Sequence, residues 1–155
     1  MSTPLRIRLT DDMKTALREK DTLRLSVVRM MLAKLKEKDI EARPSGNLEG
    51  IGEADILRMI EGMVKQRQES AQMYRQGGAL EAAAKEEAEV VILQGYLPKQ
   101  LDEAAAEQAI RAVVAEVGAA SIKDMGKVMA ALRGQYAGQL DMAKAGEVVK
   151  RVLAG

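Results

Sequence analysis

Cysteine, histidine, tryptophan and phenylalanine are all missing from this 155-residue chain. Without Cys there is no disulfide framework, thiolate zinc site or cysteine nucleophile. Without His the commonest general base and metal ligand is gone, and with it every triad or zinc-hydrolase motif built on imidazole. Tyr74, Tyr96 and Tyr136 are the sole aromatics, too few for the base-stacking platforms of RNA-recognition or single-strand-binding folds. No apolar run approaches the ~20 residues of a membrane-spanning helix. The N-terminus shows no basic flank followed by an apolar core, so a cytoplasmic protein with no membrane association is expected. No glycine-rich phosphate loop with a following Lys-Ser or Lys-Thr is present, and no cofactor is expected.

What the chain does contain is 24 Ala, 16 Leu and 10 Met against 3 Pro. Ala, Leu, Met, Glu, Lys, Arg and Gln lose little rotamer freedom in a helix, so an all-α protein with an aliphatic, Met-filled core is expected. Net charge is +1 but unevenly spread: residues 1–43 carry +4, 44–95 carry −4 and 96–155 carry +1. A dedicated duplex binder needs a larger basic excess, because its affinity comes largely from phosphate neutralisation. Contact with nucleic acid here has to be local or assisted by a partner.

Thr3-Pro4 reads as a helix start, a capping hydroxyl followed by Pro at the first helical position. Leu5, Leu9, Met13, Ala16 and Leu17 then repeat at three- and four-residue spacing to about Lys20. Asp21 caps a second helix, carrying Leu25, Val28, Leu32 and Leu35, broadened by Val27, Met30 and Met31 and ending near Ala42, ahead of Pro44. Arg43 to Gly52 reads as a surface loop. A third helix from about Glu53 to Gln76 bears Ile56, Ile60 and Met63. Gly77-Gly78 turns the chain into a fourth, with Leu80, Ala84, Val90, Val91 and Leu93, ending around Gly95. These two form an antiparallel hairpin.

Tyr96-Leu97-Pro98 interrupts the pattern. Asp102 caps a fifth helix closed by Gly118, Ser121 and Asp124 form a capping-box-like start to a short sixth helix stopping at Gly134, and Asp141 caps the last. The expected organisation is an N-terminal four-helix domain, residues 1–95, and a small three-helix C-terminal domain, residues 96–155. Tyr96 and Pro98 are expected at the interface between them.

Arg67 continues the stripe Ile56, Ile60, Met63, and a charge on an apolar stripe needs a partner. Counting back across the glycine turn places it level with Glu87, or Glu86 if the register slips, and that pair is expected to be structural, the alternative being an exposed, ligand-binding Arg67. Glu86, Glu87 and Glu89 suggest carboxylate ligands, but bundle di-metal sites use carboxylates from several helices with His three residues after Glu; no metal site is expected. Gly126, inside the sixth helix, costs ~1 kcal/mol relative to Ala. Two readings account for it: a tight helix crossing, or docking of a partner or an RNA backbone with Lys123 and Lys127 supplying charge. Ser26, Ser70 and Ser121 lack the glycine-rich elbow and oxyanion donors of a nucleophile, so no catalytic residue is assigned.

Lys65-Gln66-Arg67-Gln68-Glu69-Ser70, Glu86-Glu87-Ala88-Glu89, Tyr96-Leu97-Pro98-Lys99-Gln100-Leu101 and Asp124-Met125-Gly126-Lys127-Val128-Met129 occur in this order, after Asp12-Met13-Lys14 and Ser26-Val27-Val28-Arg29-Met30. Together they resemble the YqeY-like, or GatB/YqeY domain, family over roughly residues 5 to 154. Met142 departs from that pattern, which commonly has glycine after this Asp. The resemblance implies an all-helical domain followed by a small tail domain. Similar domains end the B subunit of the amidotransferase that converts misacylated Glu-tRNA or Asp-tRNA, where the tail helps to hold the tRNA.

By that resemblance the chain is an accessory protein contacting tRNA or a tRNA-associated complex. Lys65, Lys99, Lys123 and Lys127 are then its phosphate contacts and Gly126 its point of close approach. The resemblance also implies carbon–nitrogen ligase activity with glutamine as amide donor, exercised within a larger assembly. A third reading is a protein–protein module using the Met-rich second helix as a groove or anchor, which exposure of Met30 and Met31 would favour.

Overall fold

The computed structural model describes residues 3–154; Met1, Ser2 and Gly155, the ends of the two expected domains, lie outside it. Among the described residues the chain is all-α, with no strand. Its helices are α1 (Leu5–Glu19), α2 (Thr22–Ala42), α3 (Glu53–Gln76), α4 (Leu80–Gln94), α5 (Glu103–Val117), α6 (Met125–Gln135) and α7 (Met142–Ala154). They pack as two compact units, one running to Leu97 and the other beginning at Pro98.

In the first unit, α1 and α2 form one hairpin and α3 and α4 a second. Lys20 ends α1 in the left-handed conformation (φ 58°), and Asp21 then accepts the Arg24 amide as the predicted cap of α2. At the start of α1 the expectation fails. Thr3 does not cap; the Leu5 amide donates instead to Glu53 Oε1 at 3.0 Å, from the first turn of α3. A carboxylate next to a helix N-terminus also favours the helix dipole, so the end of α1 is satisfied across 48 residues of sequence.

The core of this unit joins Leu9, Val28 and Met31 of the first hairpin to Ile56, Ile60 and Leu93 of the second. The loop before α3 is tied down. Arg6 reaches both oxygens of Asp39 (2.7 and 2.6 Å) and the Ile51 carbonyl (2.9 Å), while the Ile51 amide donates to Asp39 at 2.9 Å. Bonding to Arg6 holds the Asp39 carboxyl below the ordinary carboxylate value and raises the guanidinium in return. Gly50 sits against this clamp at φ +101°, where a Cβ would lie 2.5 Å from Arg6 Nη2.

The second unit is a triangle of α5, α6 and α7 about Ile110, Val113, Val128, Leu132 and Val149. Asp102 caps α5 through the Ala105 amide (2.8 Å), and Gly118 ends it at φ 68°. A 3-10 turn, Ile122–Asp124, precedes α6, which passes the expected stop at Gly134 by one residue. Asp141 caps α7 through the amides of Ala143 (3.0 Å) and Lys144 (3.3 Å).

Candidate nucleic-acid interface

Lys123 lies in the 3-10 turn, and Gly126 and Lys127 lie in the first turn of α6. Spacings of three and four residues bring them to one face, and all three are exposed. Asp124, between them, is turned away to the amides of Ala120 (2.9 Å) and Ser121 (3.4 Å), its half of the predicted capping box. Those two amides, aided by the charge of Lys127, hold its carboxyl below the ordinary value. Neither lysine forms an ion pair among the described residues. The expected tight crossing at Gly126 is absent: a Cβ there would meet nothing within 4 Å. At Gly146 of α7 a Cβ would be in ordinary contact with Met125 Cε of α6, at 3.7 Å. Lys99 is exposed ahead of α5, whereas Lys65 is exposed on α3 in the first unit.

Arg67 is buried and paired, but not with Glu87 or Glu86. Its Nε donates to Glu89 Oε2 at 3.0 Å, and each side chain is about 10% exposed. Glu87 bonds Arg75 on the surface instead. The error is one of helix phase. The stripe Leu80, Ala84, Glu87, Val91 faces solvent, while Ala83, Glu89, Val90 and Leu93 face the bundle. Arg67 further donates to the Met63 carbonyl (3.4 Å) and lies 3.3 Å from Met30 Sδ. Met31 is fully buried whereas Met30 is partly exposed beside that guanidinium, so only one of the two methionines reaches the surface.

Tyr96, expected between the domains, belongs to the first unit. It is buried in the core of the first, its hydroxyl bonded to Asp12 at 2.5 Å and its ring 4.5 Å from the Arg8 guanidinium. Burial, then the bond to Asp12, raises its pKa well above the ordinary tyrosine value. Arg8 also donates to the Gly95 carbonyl (2.9 Å), tying α1 to the end of α4. Pro98 is half-buried as the first residue of the second unit.

One cationic face escaped the sequence reading. Ser26, Arg29, Ala33, Lys36, Ile40 and Arg43 follow one another at three- and four-residue steps along α2 and the turn after it, and all six are exposed. The face contains no acid. Arg29, Lys36 and Arg43 recur every seven residues, about 10.5 Å apart along a helix, and none forms an ion pair among the described residues. The neighbouring lysines are neutralised locally, Lys34 by Glu37 and Lys38 by Glu41. The heptad spacing and the +4 charge of residues 1–43 were both visible in the sequence; what hid the face was the number of paired charges around it.

The described residues thus form two helical units, each with an exposed cationic face. The chain belongs to the Yqey-like protein family, which it matches over residues 6–153. It is also similar to "Altered inheritance of mitochondria protein 41, mitochondrial" of Vanderwaltozyma polyspora, at 30% identity over 89 residues. That match covers 57% of this chain and 46% of the yeast protein, so the chain spans about half of that relative's length. No helix among the described residues is long and apolar enough to cross a membrane.

Proposed function

We propose that this chain is a non-catalytic accessory protein that contacts tRNA, alone or within a tRNA-associated complex. The observation that carries the reading is a pair of exposed cationic clusters without ion pairs among the described residues, Arg29, Lys36 and Arg43 along α2 and the turn after it, and Lys123 and Lys127 at the start of α6. Unpaired, exposed cations bind phosphate without first breaking an ion pair. At α6 the helix dipole adds to their attraction, and the open surface over Gly126 lets a sugar–phosphate backbone approach closely. Such contacts position RNA without reading its sequence, which agrees with the scarcity of aromatics. Lys99, exposed ahead of α5, and Lys65 on the first unit supply further contacts.

The reading includes a division of labour between an N-terminal helical domain and a C-terminal tail, and a cytoplasmic location. The yeast relative is named as mitochondrial, so fractionation of the native host decides the compartment. The test of function is titration with bulk and misacylated tRNA at low and near-physiological salt. Binding should weaken steeply with salt, and each cation replaced by Ala should reduce the salt slope by roughly 0.7–0.9. Absence of binding at low salt, or a slope unchanged in a Lys123→Ala/Lys127→Ala variant, defeats the assignment of these lysines. Amide transfer by the purified chain supplied with glutamine, ATP and misacylated tRNA would instead establish it as an enzyme.

A further inference from the structure

The second unit carries a feature that RNA binding does not use. Between α5 and α7 lies a groove of about 720 Å³, within the size range of binding clefts. Its apolar surface comes from the half-buried Leu101 and Val148, backed by the core residues Ile110 and Ala145. Its rim is acidic: Glu103 and Glu107 on α5, Asp141 and Glu147 at and on α7, against the two cations Lys144 and Arg151. Part of this charge is internally used. Glu107 accepts from Arg151 (3.3 Å) and Arg111 (3.1 Å), and Asp141 caps α7. Glu103 and Glu147 are exposed and form no ion pair among the described residues.

Charge is thus sorted within the unit. Its total is +1 but the groove lining is −2, which leaves +3 elsewhere, including the Lys123–Lys127 face. An apolar lining under an acidic rim is complementary to one kind of surface, a helix with an apolar stripe flanked by Lys or Arg. The volume is too small for a whole helix of ~10 Å diameter and suits the two or three anchor side chains that such a helix inserts. The excess of carboxylates disfavours a phosphate backbone here, and the apolar lining favours a stripe of protein side chains.

We propose that the α5–α7 groove docks a basic amphipathic helix of a partner protein, while the α6 face remains free for an anion. The unit would then act as an adaptor, and the groove's role does not depend on RNA being the anion.

The test uses the full chain and two designed helical peptides with the same leucine stripe, one flanked by Lys and one by Glu, each bearing a single Trp. The protein has no Trp, so emission reports the peptide alone, and burial shifts it to the blue. The Leu/Lys peptide should bind the native chain, and about tenfold more weakly when Glu103→Lys and Glu147→Lys reverse the exposed rim charges. The Leu/Glu peptide should show the opposite preference. Both substitutions are on the surface, and circular dichroism checks that the variant folds. A Lys123→Ala/Lys127→Ala variant should bind the Leu/Lys peptide as the native chain does. The proposal fails if the native chain does not bind the Leu/Lys peptide, if rim reversal changes neither affinity, or if replacing the leucine stripe by Ser leaves binding intact.

Discussion

Removing the carboxylate of Glu89 leaves Arg67 in a bundle where its side chain is 11% exposed, with the Met63 carbonyl at 3.4 Å and the Met30 sulfur at 3.3 Å as its remaining contacts. Both are weak acceptors at those distances. A guanidinium cannot lose its proton to escape, so the variant carries an uncompensated buried charge. Breaking one side of such a pair costs about 3–5 kcal/mol. Glu89→Gln and Arg67→Met should each fall near that range, lowering Tm by roughly 10 °C for a chain of this size. The double replacement Arg67→Met/Glu89→Leu should lie within about 1 kcal/mol of the native protein, because packed apolar groups replace two desolvated charges. The surface pair Arg75–Glu87, about half exposed on both sides, sets the scale from below: Glu87→Gln should cost under ~1 kcal/mol. Urea unfolding followed by far-UV circular dichroism measures all four variants, provided that the m-values agree. Equal costs for Glu87→Gln and Glu89→Gln would refute both the assigned pair and the helix phase behind it. A double variant as unstable as the sum of the singles would refute the compensation argument.

Gly50→Ala should destabilise by about 2 kcal/mol, combining a positive φ with a collision against the Arg6–Asp39 clamp; Gly46→Ala, with φ +92° and open space, should cost less in the same assay. The Asp39 carboxyl is held below its ordinary value, so its contribution is present above the unfolded pKa of ~3.9 and disappears as pH falls through the folded value. The gap in urea midpoint between the native chain and Asp39→Asn should therefore narrow below about pH 4. Tyr96 is raised instead; its contribution is present below ~10 and is lost at more alkaline pH. The difference in tyrosinate absorbance between the native chain and Tyr96→Phe should appear only above that pH. Gly126→Ala should stabilise the fold by about 0.5 kcal/mol, since nothing opposes a Cβ there; if RNA docks over this glycine, the same variant should bind tRNA more weakly.

Much of this molecule is encoded in short stretches of sequence. Helices starting at Asp21, Asp102 and Asp141 are capped by those residues because an Asx side chain reaches its own backbone two or three residues on. The glycines at 77, 78 and 118 break helices for equally local reasons. The motif order from Lys65 to Met129 was enough to place the family. Four features needed the third dimension. Helix α1 is capped by Glu53, 48 residues away. Glu89 rather than Glu87 meets Arg67 because α4 is rotated so that Leu80 and Val91 face water. Tyr96 joins the first unit through Asp12, 84 residues earlier. Gly126 is open because α6 turns Val128, Met129 and Leu132, not this glycine, toward the core of the second unit. In each case the missing information is the rotation or register of one helix against another. An Ala- and Leu-rich helix offers several nearly equivalent apolar stripes, so the residue pattern leaves that angle open until the partner surface selects one.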